Sequence, residues 1–417
     1  MHIKTILNRV QKFKSFVYGR VCWVKNALVP TVDVELQPRR NSRPVCSGCR
    51  RERPGYDRQP THSTEFIPLW GIKVFFLYAP RRVACPDCGI RVEWMPWVSG
   101  KHRLTEAYSW FLAGWAKRLS WKEVAQAFRA TWDQVFSAVE RAVIWGREHQ
   151  DLSNVTAIGV DEIAWQRGHC YLTLVYQIDA HCKRLLWIGE KRTVKTLLRF
   201  FRWFGSERSL ALKFICSDMW KPYLKVIAKK ATGALHILDR FHIMAHLGKA
   251  IDEVRTQETK DLKKKGLSTI LTKTRWLLLK RPEHLTDKQE TRLSELLKHN
   301  LRSVRSYLLK EEFQLFWKYI SPYWAGVFLD KWCTKTMRSR IEPMKKVARM
   351  LRRHRLLLLN WFRAKKQFSS GIVEGFNTKA KLITRKAYGF RTFHATEIAL
   401  YHTLGELPVP KTTHEFF

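Results

Sequence analysis

The spacing of apolar residues changes along the chain and divides it into four stretches. Residues 30–100 form short strand-like runs broken by turns, and residues 104–150 carry apolar positions at helical spacing. Residues 155–240 alternate short apolar runs with helical patterns, and the chain is almost wholly helical from about residue 241. The pattern therefore predicts a β-rich segment, an all-α segment, an α/β segment and a long helical segment, in that order.

The first 26 residues predict an amphipathic helix that packs on a core. The apolar positions at helical spacing are Ile3, Ile6, Leu7, Val10, Phe13 and Val17. Charged residues recur every few positions, there is no cleavage-site pattern, and no apolar run approaches the roughly 18 residues of a membrane span. We therefore expect neither a secretory signal nor a membrane anchor.

The α/β segment predicts strands and helices in the order β-β-β-α-β-α-β, which is the order of an RNase H-like fold. The strands are expected at Thr156–Trp165, Tyr171–Ile178, Arg184–Ile188, Lys213–Cys216 and Ala234–Leu238. Asp161 lies on the first, central strand, Asp218 follows the fourth and Asp239 ends the fifth. Because catalytic groups of open α/β sheets gather beyond the strand ends, we expect Asp161 and Asp218 to face each other from neighbouring strands.

A third carboxylate is expected from a later helix, and Glu374 is the best candidate. Ser369-Ser370-Gly371 resembles a helix start, and Glu374, Asn377, Lys381 and Arg385 then fall near one helix face. That face would place Glu374 over bound metal ions and turn Asn377, Lys381 and Arg385 toward DNA phosphates.

Each acid also has an ordinary structural interpretation. Asp161 could be a strand-end charge, Asp218 the N-cap of a helix before Trp220, and Glu374 a solvated helix charge. All three together in this strand order favour a metal site instead. Glu162, Asp179 and Asp239 are the competing acids.

Asp239 opens the segment Asp239-Arg-Phe-His242 at a strand end. We expect Asp239 and His242 to support the site from behind the metal ligands. His242 and His246 have the spacing of a metal pair, but no Glu lies between them as in a zinc hydrolase, so a packed or DNA-facing pair is favoured.

The charge of the chain indicates a polyanionic partner. Lys and Arg number 76 against 36 Asp and Glu, and the formal net charge is +40. Such a chain binds nucleic acid strongly and in a salt-sensitive way. Apolar residues make up 45% and aromatic residues 13%, which is typical of a globular protein and excludes a disordered basic tail. Carboxylates placed in this surrounding suit two Mg²⁺ or Mn²⁺ ions about 3.5–4 Å apart, for phosphodiester chemistry.

Two CxxC pairs predict a structural zinc site in the β-rich segment. Cys46 and Cys49 form the first pair and Cys85 and Cys88 the second, with Gly89 after the last sulfur to allow a tight turn. Two strands between the pairs, Thr64–Leu69 and Ile72–Tyr78, are expected to form a hairpin suited to a zinc ribbon. A redox pair and buried free thiols are the alternatives. The other five cysteines are expected to be buried thiols.

Residues 105–145 predict a helix-turn-helix that binds DNA. Ser120-Trp-Lys-Glu123 and Thr131-Trp-Asp-Gln134 both match a capping box, so helices should begin near Trp121 and Trp132. The small Ala125 at the crossing and the short turn at Arg129 fit a DNA-reading unit, although any helical hairpin has a similar pattern. Lys122 and Arg129 are the expected DNA contacts of this segment.

Several longer motifs resemble the ISL3 family of bacterial insertion-sequence transposases, which are DDE-type enzymes. They are Gly159–Glu162, Gly168–Tyr171, Ser217–Tyr223, Asp239–His242, Val373–Asn377 and Arg385–Arg391. The resemblance covers nearly the whole chain and implies that Asp161, Asp218 and Glu374 are the catalytic triad. The chain departs from the family at Ser369-Ser370, where Ser-Asn is common.

The resulting expectation is an α/β RNase H-like catalytic core with a helical insertion, preceded by a zinc ribbon and an all-α helix-turn-helix segment. We assign residues 1–100 to the zinc segment, 101–150 to the helix-turn-helix and 151–417 to the catalytic domain. A basic helical insertion at about 251–366 interrupts that domain and would grip DNA or a second protomer. Its tryptophans, Trp276, Trp317, Trp324 and Trp332, are otherwise expected to pack mostly inside.

The function implied is that of a DDE transposase. It would bind the terminal inverted repeats of its element, cleave DNA with Mg²⁺ and transfer a strand to target DNA. We expect double-stranded DNA as its partner, a homodimer or higher oligomer at the joined ends, no membrane association, and a cytoplasmic, nucleoid-associated location in a bacterium. The alternatives are a catalytically inactive DNA-binding regulator and a structure-specific nuclease with the same core.

Overall fold

A computed structural model gives the fold for residues 2–166, 168, 170–266, 270–367, 371–387 and 389–411. The chain forms two compact units: a first unit of Met1–Gln150 with Ile383–Phe417, and a second unit of Asp151–Leu382. The division near residue 150 agrees with the pattern of apolar residues. The end of the chain departs from the predicted division, because residues after Leu382 fold with the N-terminal unit and not with the α/β segment.

The first unit begins with a short helix and two small sheets. Its elements are α1 (Ile3–Val10), β1 (Phe16–Trp23), β2 (Thr31–Pro38), β3 (Gly55–Arg58), β4 (His62–Leu69), β5 (Ile72–Tyr78), β6 (Arg81–Cys85) and β7 (Gly89–Val92). One sheet has the order β1-β2-β5-β4 and the other β3-β6-β7. The helix ends earlier than its apolar spacing predicts, because Val17 lies on β1 and pairs with Gln37 of β2.

The predicted hairpin is present, but it does not carry the cysteines. Strands β4 and β5 pair antiparallel around Trp70-Gly71, where both residues have positive φ, 50° and 81°. Such angles form a tight hairpin turn. The β4–β5 hairpin belongs to the four-stranded sheet, whereas Cys85 ends β6 and Cys88 precedes β7 in the three-stranded sheet. The cysteine-bearing hairpin is therefore β6–β7.

Further helices belong to the described part of the first unit. They are α2 (Glu106–Ala116), α3 (Trp121–Ala127), α4 (Trp132–Glu148) and, from the end of the chain, α16 (Phe393–Leu404). Both predicted capping boxes are formed, with Ser120 and Glu123 at the start of α3 and Thr131 and Gln134 at the start of α4. Arg129 lies in the turn with a φ of 52°. These local signals placed both helix starts correctly.

The second unit is built on one five-stranded sheet. Its strands are β8 (Ala157–Gln166), β9 (Cys170–Ile178), β10 (Lys183–Glu190), β11 (Phe214–Ser217) and β12 (Leu235–Leu238). The order is β10-β9-β8-β11-β12, with β8–β10 an antiparallel meander and β11 and β12 parallel to β8. The predicted order of strands and the central position of β8 are confirmed.

Side chains on the two faces of β8 pack against different helices. Ile158 and Val160 join the core cluster with helices α5 (Val194–Phe204) and α7 (Lys221–Lys230), and the short α6 (Ser206–Ala211) lies between these helices in the chain. Gly159 faces helix α15 (Gly371–Lys386), and a Cβ added there would lie 2.4 Å from Val373 Cγ2. The missing side chain at Gly159 therefore lets α15 approach the central strand.

The rest of the second unit is helical, as the sequence predicts. Its helices are α8 (Arg240–Lys264), α9 (Arg275–Leu279), α10 (Asp287–Leu297), α11 (Arg302–Gln314), α12 (Pro322–Arg338), α13 (Glu342–Arg353) and α14 (Arg355–Arg363), with 3₁₀ turns at Pro282–His284 and Leu315–Lys318. Trp317 and Trp332 are buried in this part, whereas Trp276 and Trp324 are exposed. Across the residues described, none of the helices combines the length and the apolar character needed to cross a bilayer.

Candidate functional site

Three aspartates lie in matching positions on neighbouring parallel strands. Val160 of β8 is aligned with Ser217 of β11, and Ser217 is aligned with Leu238 of β12. The residues that follow these three are Asp161, Asp218 and Asp239. Because neighbouring strands are about 4.8 Å apart, one edge of the sheet carries a row of three carboxylates. The expectation that Asp161 and Asp218 come from adjacent strands agrees with this register.

Helix α15 reaches the first of these acids through Asn377. The Asn377 Nδ2 donates a hydrogen bond of 2.6 Å to Asp161 Oδ2, and the Tyr176 hydroxyl donates one of 2.9 Å to Asn377 Oδ1. Asn377 is buried, so its amide holds a carboxylate where we expected it to face DNA. Glu374 lies one turn earlier on α15 and is exposed, and it forms no hydrogen bond or ion pair with another described residue.

An arginine that the sequence did not single out bridges two acids of the site. Arg192 follows β10 and lies 2.6 Å from Glu162 Oε1 and 3.1 Å from Asp218 Oδ2. Its guanidinium also stacks on the Trp220 ring, 4.4 Å from the centre. With 76 Lys and Arg in the chain, no local pattern marks this one. Glu162 Oε2 and Arg192 Nε are buried and find no hydrogen-bond partner among the described residues.

Burial and crowding of like charges shift the pKa values of this edge. Burial raises the pKa of Asp161, and the negative charges of Asp239 and Asp218 raise it further. The hydrogen bond from the Glu162 backbone N–H lowers this pKa but does not cancel the rise. Burial and the charge of Asp218 raise the pKa of Glu162 to about 7, although Arg192 opposes this. A cluster of buried acids with raised pKa values is typical of sites that bind a cation.

Asp239 and His242 form a pair beside the other acids. Asp239 Oδ2 lies 2.7 Å from His242 Nδ1, and Asp239 Oδ1 accepts from the backbone N–H of Phe241 at 2.6 Å. The hydrogen bond with Asp239 raises the pKa of His242 to about 9, against the effect of burial. His246 is exposed. Among the competing acids, Asp179 lies at the opposite end of β8 and binds Thr156.

The candidate acids are close to one another, but their carboxylate oxygens are farther apart than the ligand atoms of a bound metal ion would be. Within the part of the chain that the structure describes, a single group of three or more metal-binding side chains has all its ligand atoms within 4.8 Å, and that group is Cys46, Cys49, Cys85 and Cys88. The oxygen-only donor set at the sheet edge still suits Mg²⁺ or Mn²⁺, because these ions prefer carboxylates. The unpartnered Glu162 oxygen is a further acceptor available there.

The four cysteines form a second candidate site in the first unit. Cys49 Sγ and Cys85 Sγ are 3.6 Å apart, close to the roughly 3.8 Å between sulfurs around a tetrahedral zinc ion. Although burial opposes it, backbone N–H groups of Asp87 and Cys88 lower the pKa of Cys85 to about 6. Gly89 has a φ of 72°, as the tight turn after the second pair requires. The arrangement fits a structural zinc site with four thiolate ligands.

The residues expected to contact DNA are mostly exposed. Lys122 on α3 and Arg129 in the turn before α4 have solvent-accessible side chains in the first unit, and Lys381 and Arg385 are exposed on α15. Trp121, Val124 and Val135 face inward, so the polar faces of α3 and α4 remain outside. Asn377 is the exception, as described above.

Comparisons with known proteins identify the family of the chain. A family model described as Transposase, that of the DDE transposases of the ISL3 group, matches residues 158–400. The chain is 28% identical to the transposase for insertion sequence element IS1557 of Mycobacterium tuberculosis. The 410 aligned residues cover 92% of this chain and 91% of that protein. The chain is also 28% identical over 328 residues to the transposase for IS1001 of Bordetella parapertussis, covering 78% and 80%. The chain belongs to the ISL3 family of DDE transposases.

Proposed function

We propose that this transposase cleaves the ends of an insertion sequence and joins them to target DNA with Asp161, Asp218 and Glu374 as its catalytic acids. The observation that carries the proposal is the register of β8 and β11, which sets Asp161 and Asp218 side by side. The close approach of α15 at Gly159 supports Glu374 as the third acid, because it brings the helix of Glu374 to the same strand. The strand order β10-β9-β8-β11-β12 supports an RNase H-like core.

The acids would hold two Mg²⁺ or Mn²⁺ ions. When bound, such ions activate the attacking oxygen and stabilise charge on the leaving oxygen of a phosphodiester. The protein contributes the positions of the ligands. Asn377 orients Asp161 by a hydrogen bond to one of its oxygens, and Arg192 balances the charge of Glu162 and Asp218.

Asp239 is the alternative third acid, but its contacts favour a supporting role. Both of its oxygens accept hydrogen bonds, one from the backbone N–H of Phe241 and the other from the ring of His242. Glu374 has no such partners among the described residues and remains available as a ligand. We therefore assign metal binding to Glu374, and we assign to Asp239 and His242 the support of the neighbouring acids.

DNA binding is proposed for the first unit and for α15. The helix-turn-helix formed by α3 and α4 would bind the terminal inverted repeats, with Lys122 and Arg129 on the phosphates. A zinc ion on Cys46, Cys49, Cys85 and Cys88 would stabilise the β3-β6-β7 sheet of the same unit. Lys381 and Arg385 would contact DNA along α15. Because two ends must be joined, we propose that two or more copies act together.

The catalytic assignment is tested by strand transfer with Mg²⁺ or Mn²⁺ and DNA that carries the element's end. Asp161→Asn, Asp218→Asn and Glu374→Gln should each abolish cleavage and joining while leaving end binding nearly unchanged. Asp287→Asn is the matched control, since Asp287 is an exposed carboxylate of α10. If Asp239→Asn loses all activity while Glu374→Gln stays active, the third catalytic acid is Asp239 and not Glu374. Cleavage without joining by the unaltered protein would instead indicate a nuclease.

End recognition is tested by footprinting on the flanks of the element. Protection of inverted repeats by the unaltered protein is expected. The double variant Lys122→Ala/Arg129→Ala should weaken binding and reduce the slope of log affinity against log salt by about 2, because two phosphate contacts are lost. An unchanged slope would show that these residues do not contact phosphates.

A further inference from the structure

A large cavity opens between α8 and α9 of the second unit. Its volume is about 1230 Å³, and it is lined by both helices together with parts of α11 and the start of α13. We call it the α8–α9 pocket. Two of its lining residues, Arg240 and Phe241, directly follow Asp239, and the Phe241 backbone donates to the Asp239 carboxylate. The pocket therefore begins at the edge of the sheet that carries the candidate catalytic acids.

Two aromatic rings in this pocket are open to solvent. Phe241 is 54% exposed and Trp276 is 58% exposed. The Arg275 guanidinium lies 5.2 Å from the centre of the Trp276 ring and is held by an ion pair with Asp252. Large apolar side chains exposed inside a concave site are typical of surfaces that a ligand covers.

The charge of the pocket is strongly positive. Its lining contains eight lysines and arginines but only three aspartates and glutamates. Arg240 is half-buried, stacks 5.3 Å from the centre of the Trp317 ring, and has its pKa lowered by burial and by the positive charge of Arg281. Neither Arg240 nor Arg281 forms an ion pair with a carboxylate among the described residues. A bound anion would relieve the repulsion between these two guanidinium groups.

Aromatic rings and unpaired arginines together identify the kind of ligand. A DNA duplex offers phosphates to arginines, but its base faces are covered by stacking on their neighbours. The face of a base is free to stack on Trp276 only when that nucleotide has left the stack or belongs to a single strand. A nucleotide in this state offers its base to the Trp276 ring and its phosphate to the two arginines.

We propose that the α8–α9 pocket binds an unstacked nucleotide of the DNA strand beside the cleavage site, with its base on Trp276 and its phosphate at Arg240 and Arg281. The inference rests on the proposed DNA-cleaving function. It adds a site for single-stranded DNA, which the catalytic acids and the helix-turn-helix do not provide.

The experiment compares fluorescence anisotropy of a labelled dT12 strand and of a labelled duplex that carries the element's end. Trp276→Ala should weaken dT12 binding about 5- to 150-fold, the range for loss of one base–aromatic stack, and leave duplex affinity unchanged. Trp324→Ala is the matched control, because Trp324 is 59% exposed in the same helical part but lies outside the pocket lining. Arg281→Gln should also weaken dT12 binding.

The outcomes separate this inference from the proposed function. If the protein binds the duplex but Trp276→Ala and Trp324→Ala bind dT12 equally well, or if dT12 does not bind at all, the pocket assignment is wrong. If neither DNA binds, the proposed function fails as well. Asp161→Asn should abolish cleavage yet bind dT12 like the unaltered protein, since it lies outside the pocket lining.

Discussion

Asn377 and Asp161 are 216 positions apart in the chain, and their side chains are joined by a buried hydrogen bond of 2.6 Å. The bond ties helix α15 to the central strand of the sheet. It also fixes one oxygen of Asp161, while the Glu162 backbone N–H binds the other at 2.8 Å. The orientation of this carboxylate is thus determined by a helix that the chain reaches only after the whole insertion.

We expect Asn377→Ala to reduce strand transfer about 10- to 100-fold, because groups that orient a metal ligand typically have effects of that size. Tyr176→Phe is the matched control, since it removes the hydroxyl that binds Asn377 but keeps the bond from Asn377 to Asp161. Strand-transfer rates and thermal melting are measured for both variants. Equal losses of activity in the two variants at similar melting temperatures would contradict a positioning role for Asn377.

Replacing Arg192 with Leu should lower thermal stability in the absence of divalent metal. The change leaves Glu162 and Asp218, both largely buried, without their shared cation. Mn²⁺ should then raise the melting temperature more in this variant than in the unaltered protein, because the ion no longer competes with a guanidinium. Arg199→Leu on α5 provides a basic-residue control. An equal Mn²⁺ effect in both proteins would argue against that competition.

Gly159→Ala should destabilise the second unit by about 1–3 kcal/mol, the usual cost of overpacking a core. The new methyl group would lie 2.4 Å from Val373 Cγ2 and push α15 away from β8. The double variant Gly159→Ala/Val373→Ala should recover part of that loss, since it removes the clashing methyl. Denaturant unfolding of both single variants and the double variant measures the coupling. Strictly additive effects would show that the two residues do not meet.

The cysteine cluster should contain one equivalent of zinc. Cys85→Ser is expected to lose the metal and to lower the melting temperature of the first unit, because a zinc ion held by four cysteines stabilises its fold directly. Cys22→Ser is the control, since Cys22 is exposed and lies outside the cluster. Metal analysis of purified protein and thermal melting check the prediction, and full zinc content in Cys85→Ser would refute it.

Stability should fall as the pH drops below about 6, because two buried histidines resist protonation. Burial lowers the pKa of His236 to about 4 and that of His402 to about 3. The unfolded chain takes up these protons near its ordinary pKa of 6.5 and the folded chain does not, so each histidine removes about 1.4 kcal/mol per pH unit below that value. Melting temperatures from pH 7 to pH 4 should decline less steeply in His402→Gln, and an unchanged decline would exclude His402.

Local chemistry explains which parts of the fold were predictable. Some elements are determined by a few neighbouring residues. They are the capping boxes at Ser120 and Thr131, the turn at Trp70-Gly71 and the apolar strands around Asp161. Their positions were therefore correct. Helix α1 was predicted too long, because Phe13 and Val17 keep helical spacing although the chain has already turned into β1.

Contacts between distant segments explain the rest. Nothing near Asn377 indicates that its amide is buried against Asp161, and nothing near Arg192 distinguishes it from the other cations. Which hairpin carries Cys85 and Cys88 depends on which strands pair. The β4–β5 hairpin has the stronger local signals, so the sequence predicts that hairpin, although the cysteines lie on β6–β7. The catalytic triad and the DNA contacts remain predictions that the experiments above test.

The return of residues 383–417 to the first unit has a consequence for synthesis of the protein. The second unit is one continuous stretch of chain, so all of it is synthesised before α16. The first unit needs α16, whose Arg147–Glu397 ion pair and buried Tyr401 join it to α4. Its core is completed only after residue 404 has left the ribosome, although its strands are made first. The nascent chain consequently completes its proposed DNA-reading unit only after the whole second unit has been synthesised.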